Sequence, residues 1–115
     1  MTPVQWNMYV VDLEPRVGTK PGKQRPVVVI QPSEFAEAGL GSSVILPVTS
    51  TTSSANAWPL RVTIPKGACG LTKNSEVMID QIIAWDHAFF KKDLGALPQP
   101  IVKQIKAAVR EFLDL

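Results

Sequence analysis

The segment Arg25-Pro26-Val27-Val28-Val29-Ile30-Gln31 constrains the fold more than any other part of the chain. Four β-branched residues follow one another. Such side chains are stiff about χ1 and pack well on a pleated surface. A strand points successive side chains to opposite faces, so a run that is apolar at every position needs cover on both sides. The chain must therefore build a sheet with a layer above and below this strand. Proline cannot donate to a ladder, which predicts Pro26 only at the start of the strand.

The flanking segments supply the rest of that sheet. Residues 6–13 are aromatic and β-branched and read as a strand that Glu14-Pro15 ends. Arg16 to Gln24 carries two glycines and a proline among polar residues, a long hairpin-like loop. Residues 32–42 form a connector with room for a turn of helix at 33–38. Ser43–Thr49 reads as a third strand, and Pro47 inside it predicts an edge position or a bulge. The small polar run Ser50–Asn56 reads as a mobile loop. Leu60–Ile64 alternates apolar and polar, as a half-exposed strand does. Pro65-Lys66-Gly67 turns the chain, Glu76–Trp85 reads as one further strand, and Phe89–Lys92 allows a short one.

The period then changes. Ile101, Ile105, Ala108, Val109 and Phe112 recur three to four residues apart, with Lys103, Lys106 and Arg110 off that face. This is one amphipathic helix, with Pro98 and Pro100 at its start. The expectation is a single domain over residues 1–115, mainly β: a small barrel or tightly curled sheet capped by a C-terminal helix.

The net charge of +2 does not mark a nucleic-acid binder. Its distribution is more informative. Arg16, Lys20, Lys23 and Arg25 fall within ten residues, and no acidic residue lies between Glu14 and Glu34. That run suits either a solvated loop or a phosphate-attracting patch. Cys69 is the one cysteine, so no intrachain disulfide or CxxC metal pair can form, and a reducing compartment fits. Cys69 itself reads as a partly buried packing residue. No basic segment followed by an apolar run opens the chain, and the longest apolar runs are a few residues; the expected location is cytoplasmic.

Missing motifs narrow the chemistry. There is no GxxxxGK[ST] or GxGxxG loop and no HExxH, and His87 is the only histidine. Nucleotide-driven, zinc-hydrolase and two-histidine mechanisms lack their parts. The carboxylates are scattered, so no cofactor or metal is expected. What remains is Arg25, several lysines and the hydroxyls around Thr49. These suit RNA cleavage by the RNA's own 2′-hydroxyl, where the protein aligns the reacting atoms and stabilises charge on the phosphorane. An arginine fork clamps phosphate oxygens, and a fixed hydroxyl adds a neutral donor. Read alone, Arg25 also fits a surface ion pair and Thr49 a turn-capping hydroxyl. Trp6, Trp58 and Trp85 read as core or interface anchors. Trp58, beside the polar run, is also placed for stacking on a base.

The order of several segments resembles the MazF/PemK toxins of type II toxin–antitoxin systems. These segments are Tyr9–Pro15, Val17-Gly18-Thr19, Arg25–Gln31, Ile45–Ser50, Gly70-Leu71, Ser75–Ile82 and Leu94–Leu97. The resemblance implies an SH3-like PemK/CcdB-type barrel, assembled as a homodimer with single-stranded RNA along the interface. It implies a metal-independent, sequence-specific endoribonuclease that leaves a 2′,3′-cyclic phosphate and a 5′-hydroxyl. The family's catalytic arginine falls on Arg25 and its catalytic threonine on Thr49. The expected RNA-binding positions are Thr19, Lys20, Lys23, Gln31, Ser50 and Gln81, with Trp58 added as a stacking residue. The implied protein partner is an antitoxin whose acidic, partly disordered C-terminal tail occupies the same groove.

Two departures from the family pattern stand out. Gln5-Trp6-Asn7 replaces a common Arg-Gly-Asp. Thr19-Lys20-Pro21-Gly22 replaces a common Ser-Glu-Gln-Gly, so Lys20 stands where many members carry a carboxylate. Two other functions fit the same barrel. One is a toxin that poisons a protein target, as the DNA-gyrase inhibitor CcdB does; the other is a non-catalytic RNA- or peptide-binding barrel. A gyrase poison needs no phosphate clamp, so the pairing of Arg25 with Thr49 argues against the first.

Overall fold

A computed structural model describes residues 1–14, 23–53 and 57–115. Seven strands form a curled antiparallel sheet: β1 (Asn7–Glu14), β2 (Lys23–Val29), β3 (Ser42–Thr49), β4 (Arg61–Ile64), β5 (Ser75–Met78), β6 (Ile83–Asp86) and β7 (Phe90–Ala96). Helix α1 (Ser33–Glu37) lies between β2 and β3, and α2 (Gln99–Leu113) closes the chain. The spatial order is β4-β5-β3-β2-β1-β7, with β6 pairing the first half of β3.

The β-branched run behaves as its pattern requires. Val27, Val28 and Val29 are fully buried. Val28 faces one core with Met8, Leu46, Ile64, Ile79 and the helix residues Ile101, Val102, Ile105 and Ala108. Val27 and Val29 face the other, with Tyr9, Val11, Ile45 and Phe90. Strands β1–β3 are thus covered on both faces, by α2 on one side and by the β6–β7 region on the other. Each Val or Ile so buried contributes about 1.5–3 kcal/mol relative to an exposed one.

Helix α2 starts where the prolines place it, with Pro98 as N-cap and Pro100 in the first turn, where the amides lack partners in any case. Its buried stripe is Ile101, Val102, Ile105 and Ala108, while Phe112 stays exposed. The curl is completed by a 3-10 turn at Ala68–Gly70, where the Cys69 thiol packs on the carbonyls of Gly95 and Ala96 at the end of β7. Cys69 therefore packs the region after β4 against the opposite edge. On β7, Lys91, Lys92 and Asp93 are exposed in succession.

Four readings of the sequence need correction. Pro26 is not the start of its strand; β2 begins at Lys23 and places Pro26 opposite Val10. Pro47 lies on neither an edge nor a bulge. Strand β3 is central, and Pro47 sits where its partner changes from β6 (Ser42–Ile45) to β5 (Val48–Thr49). Glu76–Trp85 is not one strand. The chain turns after β5, with the Gln81 amide donating to the Met78 carbonyl (3.2 Å), and returns as β6. The short strand foreseen near residue 90 is the full strand β7, paired along β1. Its polar pattern, Lys-Lys-Asp, hid an edge strand that needs cover on one side only.

Candidate functional site

Strands β2 and β3 pair through Val27–Pro47, Val28–Leu46 and Val29–Ile45. Continuing that register two residues sets Arg25 directly opposite Thr49. The ladder does not continue, and the prolines explain why. Even-numbered residues of β2 direct their backbone groups at β3, since the Ile30 amide donates to the Val44 carbonyl (3.1 Å). Odd-numbered ones face β1, since the Val29 carbonyl accepts from the Trp6 amide (2.7 Å). Pro26 therefore offers β3 no donor at the next rung, opposite Val48. Beyond it the two strands part and a cleft opens.

The cleft has a volume of about 450 Å³. One wall is Lys23–Pro26 of β2, a second is Val48–Thr51 at the end of β3, and the third is Leu71–Lys73 with Ser75. Lys23, Arg25 and Lys73 bring positive charge from two sides, and no carboxylate is among these lining residues. Arg25 is half-buried and makes no ion pair among the described residues. The Thr49 hydroxyl accepts from the Thr51 amide (3.1 Å). It caps a turn, and because its oxygen is the acceptor there, its own O–H remains able to donate. Such a site suits a polyanion's phosphate.

The other residues singled out in the sequence divide. Lys23 and Ser50 line the cleft. Gln31 does not. It lies past the far end of β2 from Arg25, and its side chain binds the Ser42 carbonyl (3.2 Å) and the Val44 amide (3.3 Å). Gln81 is exposed in the β5–β6 turn beside Asp80. Trp58 is 44% exposed, and its indole N–H donates to the Glu111 carboxylate of α2 (2.6 Å). Gln31, Gln81 and Trp58 are all outside the cleft lining. Thr19 and Lys20 lie outside the described residues, as do Ser54, Ala55 and Asn56 of the polar run. The described part of that run is held rather than loose, because Ser53 is bonded to Glu76.

Lys73, Thr72 and Thr51 were not singled out from the sequence. Nothing local in the chain between Gly70 and Ser75 announces that it returns to face β2. Its position is fixed by Ser75, whose buried hydroxyl donates to the Lys73 carbonyl (3.1 Å), and by Asn74, whose side-chain Oδ1 accepts from the Lys66 amide (2.8 Å). His87 takes no part. Its Nε2 lies 2.7 Å from the buried Ser43 hydroxyl and its ring meets Phe90 edge-on, and burial pushes its pKa down.

Comparison with known proteins identifies the fold and the family. The endoribonuclease MazF2 of Mycobacterium bovis is 30% identical over 108 residues, 94% of each chain. A MazE–MazF crystal structure from Deinococcus radiodurans superposes with a TM-score of 0.80 at 20% identity, over 100% of this chain and 98% of that one. An endoribonuclease in complex with its cognate antitoxin, from a mycobacterial species, superposes with a TM-score of 0.75 at 17% identity, over 99% and 95%. These two superpositions establish the fold. The family match spans residues 4–113, and with the mycobacterial relative it shows that the chain belongs to the PemK-like, MazF-like toxins of type II toxin–antitoxin systems.

Proposed function

We propose that this toxin-family chain is an endoribonuclease that cuts single-stranded RNA in its cleft by attack of the RNA's own 2′-hydroxyl. The observation that carries the reading is the facing pair Arg25 and Thr49 at the open end of the β2–β3 ladder. The 2′-oxygen forms a bond to phosphorus while the bond to the 5′-oxygen breaks. The 2′-oxygen loses its proton and the 5′-oxygen gains one, leaving a 2′,3′-cyclic phosphate and a 5′-hydroxyl. Arginine is a poor base because its guanidinium stays protonated. Arg25 instead clamps the scissile phosphate and stabilises the charge that builds there. Thr49 donates to the same phosphate and fixes its orientation. Lys23, Ser50 and Lys73 hold the flanking backbone, and Thr19 and Lys20 add to the same grip. The chemistry needs no metal.

The acting unit is a homodimer of single-domain chains, 1–115, that sets two such clefts along one RNA path. The antitoxin inhibits by laying an acidic, partly disordered tail across the same cations. The proposed location is the cytoplasm; no helix among the described residues is long and apolar enough to cross a membrane.

The test is incubation of the purified protein with single-stranded RNA, with and without EDTA, followed by analysis of the cut ends. Cleavage survives EDTA and disappears when the 2′-hydroxyl at the cut site is replaced by hydrogen. Arg25→Ala loses on the order of a hundredfold to a thousandfold in rate. Thr49→Ser keeps more activity than Thr49→Ala. Efficient cutting of the deoxy-substituted RNA, or full activity in Arg25→Ala, overturns the mechanism.

A further inference from the structure

We infer that Glu76 is a positioning residue for Thr49, acting from behind the cleft. The inference rests on the reading of Thr49 as a phosphate donor. Glu76 is paired with Thr49 across β3 and β5, and it is only 7% exposed. A buried carboxylate needs donors, and this one has a defined set. Both oxygens accept from the Ser53 amide, at 3.1 and 3.2 Å, and one accepts from the Ser53 hydroxyl at 3.3 Å. Arg61 Nε lies 3.8 Å away and offsets the charge, while its Nη1 is held by Asp80 at 2.8 Å.

These contacts close a ring. Thr49 is paired through its backbone to Glu76. The Glu76 side chain holds Ser53. Two residues back, the Thr51 amide donates to the Thr49 hydroxyl oxygen. The Thr51 amide fixes which way the Thr49 O–H can point, and the carboxylate fixes where the Thr51 amide sits. Bonds from a carboxylate to a backbone N–H are stronger than neutral ones, so the charge matters and not merely the bulk. A purely packing role at this buried position would suit an apolar side chain.

The test is a double-mutant cycle between Glu76→Gln and Thr49→Ala, read as the single-turnover cleavage rate of a single-stranded RNA substrate. Glutamine keeps the shape but turns an amide donor towards groups that are themselves donors. Glu76→Gln slows cleavage about tenfold in the wild-type background, as for a weakened hydrogen bond to a charged group, and causes no further loss in Thr49→Ala. Equal losses in the two backgrounds, or no loss in the first, overturn the inference. Full activity of Thr49→Ala itself instead removes the underlying reading. Should Glu76→Gln fail to fold, Ser53→Ala takes its place in the cycle. It deletes one of the contacts and gives a smaller loss with the same dependence on Thr49; equal losses, or none, overturn the inference there too.

Discussion

The two ends of the β2–β3 ladder differ although the same two strands build both. At one end the pairing is carried past the last rung. The Ile30 amide reaches Val44, Gln31 bridges the Ser42 carbonyl and the Val44 amide, and Gln5 adds a bond to the Ile30 carbonyl (3.0 Å). At the other end Pro26 withholds a donor, the strands part, and Arg25 and Thr49 face each other across a cleft. Backbone groups that are paired with each other have nothing left for a ligand. An end left unpaired by an imino acid, rather than by a lost partner, opens a site without stranding a buried N–H.

That contrast can be broken from either side. The largest effect expected is on rate. Arg25→Ala removes about 3–4 kcal/mol of transition-state stabilisation, while its melting temperature stays close to wild type, because the half-buried guanidinium makes no ion pair among the described residues. A matching loss of stability in calorimetry would mean that the open end also holds the fold together. Leu46→Ala, in the paired stretch, does the reverse. It truncates a fully buried side chain and costs about 3 kcal/mol of stability by denaturant unfolding. Gln31→Ala leaves one donor and one acceptor at the closed end without their side-chain partner and costs about 1–2 kcal/mol. It should leave the cleavage rate of the folded protein unchanged, and a hundredfold rate loss there would restore Gln31 to the substrate path.

The smallest effect is in pH. Burial holds the His87 pKa below its ordinary 6.5. The unfolded chain therefore binds the proton more readily. The resulting contribution to stability is complete above about pH 6.5 and declines as pH falls through that value towards the folded pKa. Thermal unfolding at pH 7.5 and pH 5.5 should show this decline, and His87→Gln should reduce it.

Much of this was legible in the residues, for physical reasons. A four-residue β-branched run has one sensible solution, and a switch from period two to period 3.6 marks a helix whatever its partners. The meeting of Arg25 and Thr49 was legible only through family resemblance, because a register spanning twenty-four positions leaves no local trace. The third wall was not legible at all. Lys73 enters the cleft because Ser75 and Asn74 fix its loop, and serine and asparagine in a turn look alike wherever the turn leads. Pro26 and Pro47 escape a rule that takes a strand as paired equally along its length. Each proline occupies a position where one neighbour is absent or changing, which is local vacancy inside an otherwise central strand. Trp58 shows the opposite limit, since an exposed indole beside a polar run is satisfied by a carboxylate fifty-three residues away.

The succession Lys91-Lys92-Asp93 on β7 bears on behaviour at high concentration. An open strand is a template on which other copies can add rung by rung, and long sheets grow from such edges. Two copies meeting here would have to stack ammonium groups against one another and strip them of water before a single backbone bond formed. The barrier is carried by the edge itself, before any folding partner or chaperone acts. A chain whose core is a run of valines can thus accumulate without this edge becoming the seed of a fibre.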